Sequence, residues 1–196
     1  MAMLSRLLSL RLALVLLLAA QVAACSPPAF KAVDITGANY AGDFSLESAS
    51  GGRRTLADYR GKVVVIFFGF TQCPDVCPTT LTDLAEVRKR LGSDADRLQV
   101  IFVTIDPERD TAAVLSQYVP GFDPSFVALY GTPEQTAKTA KEFKIFYQKV
   151  PGKTATSYTM DHTAGSYVID QDGRVRLFIR HGASVDDIVS DLRKLL

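Results

Sequence analysis

Two cysteines four residues apart, Cys73 and Cys77, carry the most reactive chemistry in this 196-residue chain, and each is followed by a proline, Pro74 and Pro78. As thiolates, cysteines attack disulfides and bind metal ions. A step of four residues is about one helical turn, so the two sulfurs can face the same way. Ahead of the pair runs Val63-Val64-Val65-Ile66-Phe67-Phe68, apolar and β-branched at its head, which fits a strand buried on both faces, and Gly69 breaks it. Behind the pair, Leu81, Leu84 and Ala85 recur at helical spacing, and Pro78 suits a first helical turn, where its missing N–H is not needed. The pair therefore lies on a strand–loop–helix turn. A helix N-terminus carries partial positive charge and free N–H groups, and both favour thiolate. The alternative is a structural disulfide or two buried thiols. The position between strand and helix, with flanking prolines, favours a working site.

The third cysteine belongs to a different story. Residues 1–24 carry Arg6 near their start and continue as a Leu- and Ala-rich stretch to Val22-Ala23-Ala24, with Cys25 directly after. The apolar part is short for a permanent membrane span, and small residues precede the break, as in a signal peptide. The cysteine after two alanines resembles a bacterial lipoprotein box, which implies cleavage before Cys25 and lipid attachment there. The alternative is an uncleaved N-terminal anchor with a passive Cys25. Either way the rest of the chain faces away from the cytoplasm, towards the periplasm or the cell exterior. Cys73 and Cys77 then form a closed pair that can become a disulfide in an oxidising compartment. Residues 25–42, with Pro27, Pro28, Gly37 and Gly42 and little periodicity, read as a lipid-anchored tether, and residues 43–196 as one domain. At about 3.5 Å per residue such a tether reaches at most on the order of 60 Å. Arg6 and Arg11 lie in the segment expected to be removed, which leaves 20 basic against 21 acidic residues and no basic stripe, so nothing points to a nucleic-acid partner.

The elements that must position the thiols follow in order. Residues 44–47 and 53–56 around Gly51-Gly52 read as a β-hairpin at the domain edge. The helix after the thiols runs to about Leu91 and stops at Gly92. Residues 98–105 are a second buried strand, placed for a parallel crossover. Residues 106–111 are a turn, with Asp110 as the expected cap of a helix to about Tyr118. Thr132-Pro133-Glu134 opens another helix to about Phe143. Residues 145–150 read as a short strand and 153–160 as a polar loop or part of a β-ribbon. Residues 166–170 and 175–179 form a hairpin around Gln171-Asp172-Gly173, and Ser184 begins a last amphipathic helix.

This order is the thioredoxin-like α/β arrangement: a central mixed sheet flanked by helices, an N-terminal β-hairpin, and an insertion before the C-terminal hairpin. Two features depart from thioredoxin. The spacing is C-x-x-x-C, not C-x-x-C. Thioredoxin-type oxidoreductases also place a cis-proline opposite the thiols, whereas this chain has no proline after Pro151 and reads Met160-Asp161-His162-Thr163-Ala164-Gly165 there. A histidine occupies the neighbourhood facing the cysteines.

Three blocks, FGFTQCPDVCP, TIDPERDT and DHTAGSYVID, in this order and with compatible spacing, resemble the Sco/SenC proteins, copper-handling assembly factors for cytochrome c oxidase. The resemblance covers the chain from about Asp43 to its end. It implies one copper ion, Cu(I) or Cu(II), per domain, held by Cys73, Cys77 and His162. Its partners would be the oxidase subunit that carries the dinuclear copper centre, other copper donors or thiol reductants, and the membrane through the N-terminal lipid. Gln72 departs from many members, which carry an aromatic residue or histidine there, and so bears on partner docking rather than on the ligands.

The residue types agree with that set. Two thiolates and an imidazole form a soft, low-coordinate group that suits Cu(I) and tolerates Cu(II), whereas zinc asks for a fourth ligand. Met160 is either core packing or a weak extra ligand. Asp161 either orients His162 through its second nitrogen or caps its loop. His181, before Gly182, reads as a solvated strand end. Two function classes stand: a metallochaperone delivering copper to the oxidase, with reduction of the target cysteines as a second activity of the Cys73–Cys77 redox pair, or a thiol–disulfide oxidoreductase of the cell envelope. His162 discriminates, since a disulfide exchanger does not need it. A peroxidase is the weakest reading: Thr71 is present, but Pro74 and Pro78 follow their cysteines.

Overall fold

The computed structural model describes residues 29–154 and 157–196. Its centre is β4 (Val63–Gly69), every residue of which is buried, as its unbroken apolar run requires. Parallel to it lies β5 (Leu98–Thr104), with Val63 opposite Leu98 and Gly69 opposite Thr104. On its other side β9 (Gly165–Ile169) runs antiparallel, with Phe67 opposite Ser166. The remaining strands complete an eight-stranded sheet: β1 (Val33–Asp34), β2 (Ser45–Ser48), β3 (Arg53–Thr55), β6 (Val127–Tyr130) and β10 (Val175–Arg180), in the spatial order β1-β10-β9-β4-β5-β6-β2-β3. Among the described residues the strands β7 (Tyr147–Pro151) and β8 (Tyr158–His162) pair only with each other, as an antiparallel ribbon with Tyr147 opposite His162. That ribbon is the expected insertion.

Among the described residues four α-helices accompany the strands. The helix α1 (Val76–Leu91) follows the thiol loop and buries Cys77, Leu81, Leu84, Val87 and Leu91, the i, i+4, i+7 stripe of a helix lying on a sheet. Arg88, Lys89 and Arg90 sit in its last turn, where positive charge complements the helix dipole. The helix α2 (Ala112–Tyr118) is capped by Thr111, whose Oγ1 accepts from the Val114 N–H, rather than by Asp110 as expected. Asp110 is occupied elsewhere, as described below. The helix α3 (Pro133–Glu142) starts with a capping box of Thr132 and Gln135, and α4 (Val185–Arg193) is capped by Ser184 and packs beside α1.

Two expectations change. The strand β6 went unread in the sequence: it is four residues long, with Ala128 and Leu129 buried. The segment read as a tether up to Gly42 is held to the domain at several points of its described part. Val33 and Asp34 pair with Phe178 and Leu177 of β10, and Ala41 is fully buried. The Lys31 and Ala32 N–H groups donate to the buried Asp191 carboxylate of α4 at 2.8–3.0 Å. Residues 1–28, including Cys25 and the apolar leader, lie outside the described residues.

Candidate metal centre

The antiparallel β4–β9 pairing decides the geometry. The start of β9 lies beside the end of β4, so residues just before Gly165 hang over the loop just after Gly69. His162 closes β8 three residues before Gly165, and Cys73 and Cys77 follow Gly69. Gly69 itself is required for packing: a Cβ there would stand 2.8 Å from Phe102 Cε2, 2.9 Å from Cys77 Sγ and 3.0 Å from Phe67 Cε1.

Within the site, Cys77 is fully buried and Cys73 and His162 are half-buried. The Cys73 Sγ accepts from the Cys77 N–H at 3.3 Å, so it sits at the N-terminus of α1. His162 Nε2 lies 3.7 Å from Cys77 Sγ. The three donor atoms all fall within 4.8 Å of one another. Metal–nitrogen and metal–sulfur bonds of about 2.0 and 2.3 Å in a trigonal plane put donors roughly 3.7–4.0 Å apart, so the group fits a single ion with little adjustment. Among the described residues no fourth His, Cys, Asp or Glu joins them, which favours a low-coordinate soft ion over zinc.

The imidazole is oriented by its own strand end. His162 Nδ1 lies 3.1 Å from the Thr163 carbonyl, so Nδ1 carries the hydrogen and donates while the Nε2 lone pair faces the sulfurs. The exposed Asp161 makes no such contact, and the carbonyl takes the role considered for it. Burial holds the His162 pKa below the ordinary histidine value, against the Thr163 carbonyl and Asp161, so the ring stays neutral and able to bind. Phe67 and Phe70 meet the ring edge-on at 6.2 and 5.9 Å. Met160 is buried in β8 and lines the cleft over the site.

At Cys77 burial sets the direction. Desolvation first, then the hydrogen bond with Cys73, pushes its thiol well up. The helix N-terminus was read as favouring thiolate; at this sulfur, which lies on the buried stripe of α1, burial pushes the other way. A metal ion that binds Cys77 must displace its proton. An open cleft of about 230 Å³, lined by Cys73, Pro74, Asp75, Met160 and His162 among others, leaves one side of the group accessible.

Around the site, some residues take roles the sequence did not mark. The buried Asp110 accepts from the Thr71 N–H at 3.0 Å and from the Thr71 and Thr104 hydroxyls at 2.6 Å, tying the loop ahead of Cys73 to β5. Burial pushes its carboxyl up despite these bonds. The Tyr118 hydroxyl is buried without a partner, and burial, ahead of the charges of Cys77, Cys73 and Asp110, pushes its phenol up. The block TIDPERDT carried the signal for Asp110; nothing in the sequence marked Tyr118. Gln72 is exposed, and its Oε1 accepts from Arg109 Nη1 at 3.0 Å, so it has an internal partner besides any docking role. His181 is exposed at the end of β10, 3.3 Å from Thr80 Oγ1, and takes no part in the site.

A family model described as SCO1/SenC matches residues 33–196. The chain belongs to the SCO1/SenC family. This SCO1/SenC chain is 36% identical over 155 residues to the mitochondrial SCO2 homolog of Mus musculus, an alignment covering 78% of this chain and 61% of that protein. It spans about three fifths of the length of the curated relatives it matches first. The solved structure of Bradyrhizobium japonicum ScoI with copper bound is similar with a TM-score of 0.73 and 41% identity, over 79% of this chain and 98% of that one. The apo Sco1 protein of Thermus thermophilus is similar with a TM-score of 0.77 and 39% identity, over 88% of this chain and all of that one. The expected thioredoxin-like arrangement, a central mixed sheet flanked by helices, is borne out by these neighbours and by the strand order.

Proposed function

We propose that this protein is a membrane-anchored copper metallochaperone that delivers copper to the dinuclear copper centre of cytochrome c oxidase during assembly. The observation that carries the reading is the 3.7 Å approach of His162 Nε2 to Cys77 Sγ, with all three donors within 4.8 Å. A neutral imidazole aimed at two sulfurs completes a soft three-donor set for copper. The copper-bound relative of Bradyrhizobium japonicum supports the choice of metal. Copper here is cargo. Cys77 and His162 hold it from the buried side, while the half-buried Cys73 faces the cleft and is the ligand that an incoming thiolate of the acceptor reaches first. The apolar rings of Phe67 and Phe70 keep water from the imidazole.

The same pair supports a second activity. Cys73 and Cys77 as free thiols can reduce a disulfide in the target and become a disulfide themselves, which readies the acceptor cysteines for copper. A purely thiol–disulfide oxidoreductase is the competing reading. Cys25 is the proposed lipid attachment point, which places the domain on the outer side of the cell membrane. Among the described residues no helix is long and apolar enough to cross a membrane.

Anaerobic copper titration of the reduced soluble domain, with X-ray absorption of the product, tests the reading. One equivalent bound by two sulfurs and one nitrogen is expected, with none taken up by the oxidised protein, whose disulfide offers no thiolate. His162→Ala should keep the fold and the Cys73–Cys77 redox cycle but bind copper at least about 10- to 100-fold more weakly, the loss known even for outer-shell changes. Cys77→Ser should remove both activities. Parent-like copper binding in His162→Ala would hand the site to the oxidoreductase reading.

A further inference from the structure

Cys73 and Cys77 reach the centre from the loop after β4, whereas His162 arrives on a ribbon that, among the described residues, pairs only with itself. The donors stay in register only if ribbon and loop are held together. Arg109 does this from the turn after β5. Its Nη1 donates to Gln72 Oε1, next to Cys73, at 3.0 Å, and to the Tyr158 carbonyl of β8 at 2.9 Å. Its Nε donates to Asp106, whose other oxygen accepts from the Tyr158 hydroxyl at 2.8 Å. The guanidinium stacks 3.6 Å from the Tyr158 ring centroid and lies 5.9 Å from that of Phe70. Lys149 of β7 adds a second tie to the same turn through Glu108 at 2.6 Å. Arg109 Nη2 is left buried without a partner. Such an orphan is costly, and the side chain keeps it while its other nitrogens join three elements.

We propose that Arg109 is a positioning residue of the metal centre: its planar fork clamps the His162 ribbon to the Cys73 loop and so sets the sulfur–imidazole distance. The inference rests on the copper reading above for its functional consequence, but its geometric content does not need copper. A lysine keeps the charge and cannot reproduce the fork or the flat stacking. Loss of the clamp frees β8 at Tyr158, four residues before His162, while the Phe146–Thr163 hydrogen bonds at the other end of the ribbon remain.

The test uses Arg109→Lys and Arg109→Gln. In metal-free protein, diethyl pyrocarbonate modification of His162 is measured against His181, the chain's second histidine and exposed, as internal reference. Release of the ribbon should raise the His162-to-His181 ratio about threefold or more in both variants. Cu(I) affinity by chelator competition should fall about tenfold, the lower end of outer-shell effects, and the sulfur-to-copper charge-transfer bands of the Cu(II) form should shift. The Cys73–Cys77 pair should still cycle with dithiothreitol as in the parent, so a general loss of fold is distinguishable. If Arg109→Gln does not fold, Arg109→Lys alone decides. A parent-like modification ratio overturns the proposal, and so does full recovery by lysine, which would reduce the role to charge. If the parent itself holds no copper, the metal reading fails, and the modification ratio still judges the clamp.

Discussion

Gly69→Ala probes the packing that delivers Cys77 to the centre. Gly69 ends β4 with ordinary strand geometry, so the added methyl meets no backbone penalty, only neighbours: Phe102 Cε2 at 2.8 Å, Cys77 Sγ at 2.9 Å and Phe67 Cε1 at 3.0 Å. Non-bonded atoms sit comfortably at roughly 3.5–4.0 Å, so each neighbour must retreat by on the order of 0.5–1 Å. Both rings are fully buried and cannot swing into solvent. Overpacking of this kind typically costs about 1–3 kcal/mol, which for a domain of this size lowers Tm by roughly 2–12 °C. A retreat of Cys77 Sγ moves the atom that stands 3.7 Å from His162 Nε2. Thermal unfolding of the reduced, metal-free domain should show the drop, and copper competition should show weaker retention. Gly121→Ala is the control: a Cβ there meets nothing within 4 Å, and its φ is not positive. A Gly69→Ala protein with the parent's Tm and copper affinity would refute the packing argument.

Two further outcomes can be measured directly. Because burial lowers the folded-state pKa of His162, the unfolded chain takes up that proton first, from about pH 6.5 downwards; stability of the metal-free domain is then full above that pH and falls as pH drops below it. Subtracting the Tm–pH curve of His162→Gln isolates the effect, and parallel curves between about pH 5 and 7 would contradict it. Cys25→Ser should abolish lipidation and change membrane retention, read by mass spectrometry of the mature N-terminus; an unmodified Cys25 or an intact Met1 in the parent would contradict the anchor.

Most of the scaffold was legible because buried strands and amphipathic helices leave periodic side-chain patterns. The run at 63–68, the recurrence of Leu81, Leu84 and Ala85, and the Ser184 cap each state their element locally. The three donors stood out for the same reason: thiols and imidazoles are few, and their types announce their chemistry. The protonation of Cys77 was not legible. The helix N-terminus is visible in the sequence, but which sulfur lands on the buried face of α1 depends on the rotation of the helix against the sheet, and there desolvation pushes the thiol up. Nor could the sequence distinguish Asp161 from the Thr163 carbonyl as the partner of His162 Nδ1, since every residue carries a carbonyl.

The docked N-terminal segment failed to register for a related reason, and it alters the anchor argument. Residues 29–42 lack periodicity because backbone groups hold much of the segment: Lys31 and Ala32 donate N–H groups to Asp191, Ile35 to the Arg176 carbonyl, and Ala41 to the Glu142 carbonyl. The side chain that does the most is Asp191, which lies 159 positions away from Ala32 in the chain and looks like one more polar residue of an amphipathic helix. Lys194 bridges it to the Ala29 carbonyl, at 3.0 and 2.7 Å. If the lipid is on Cys25, only Ser26, Pro27 and Pro28 separate it from the docked segment. The free reach then shrinks from on the order of 60 Å to about 10 Å. The stalk enters beside α4, and Arg193 of α4 donates to the carbonyl of Arg90 at the C-terminal end of α1. The thiols lie at the opposite end of that helix, whose 16 residues span about 24 Å. A lipid on Cys25 would thus hold the α4 end near the bilayer and leave the metal centre at the far end of α1, where an acceptor domain standing clear of the membrane can meet it.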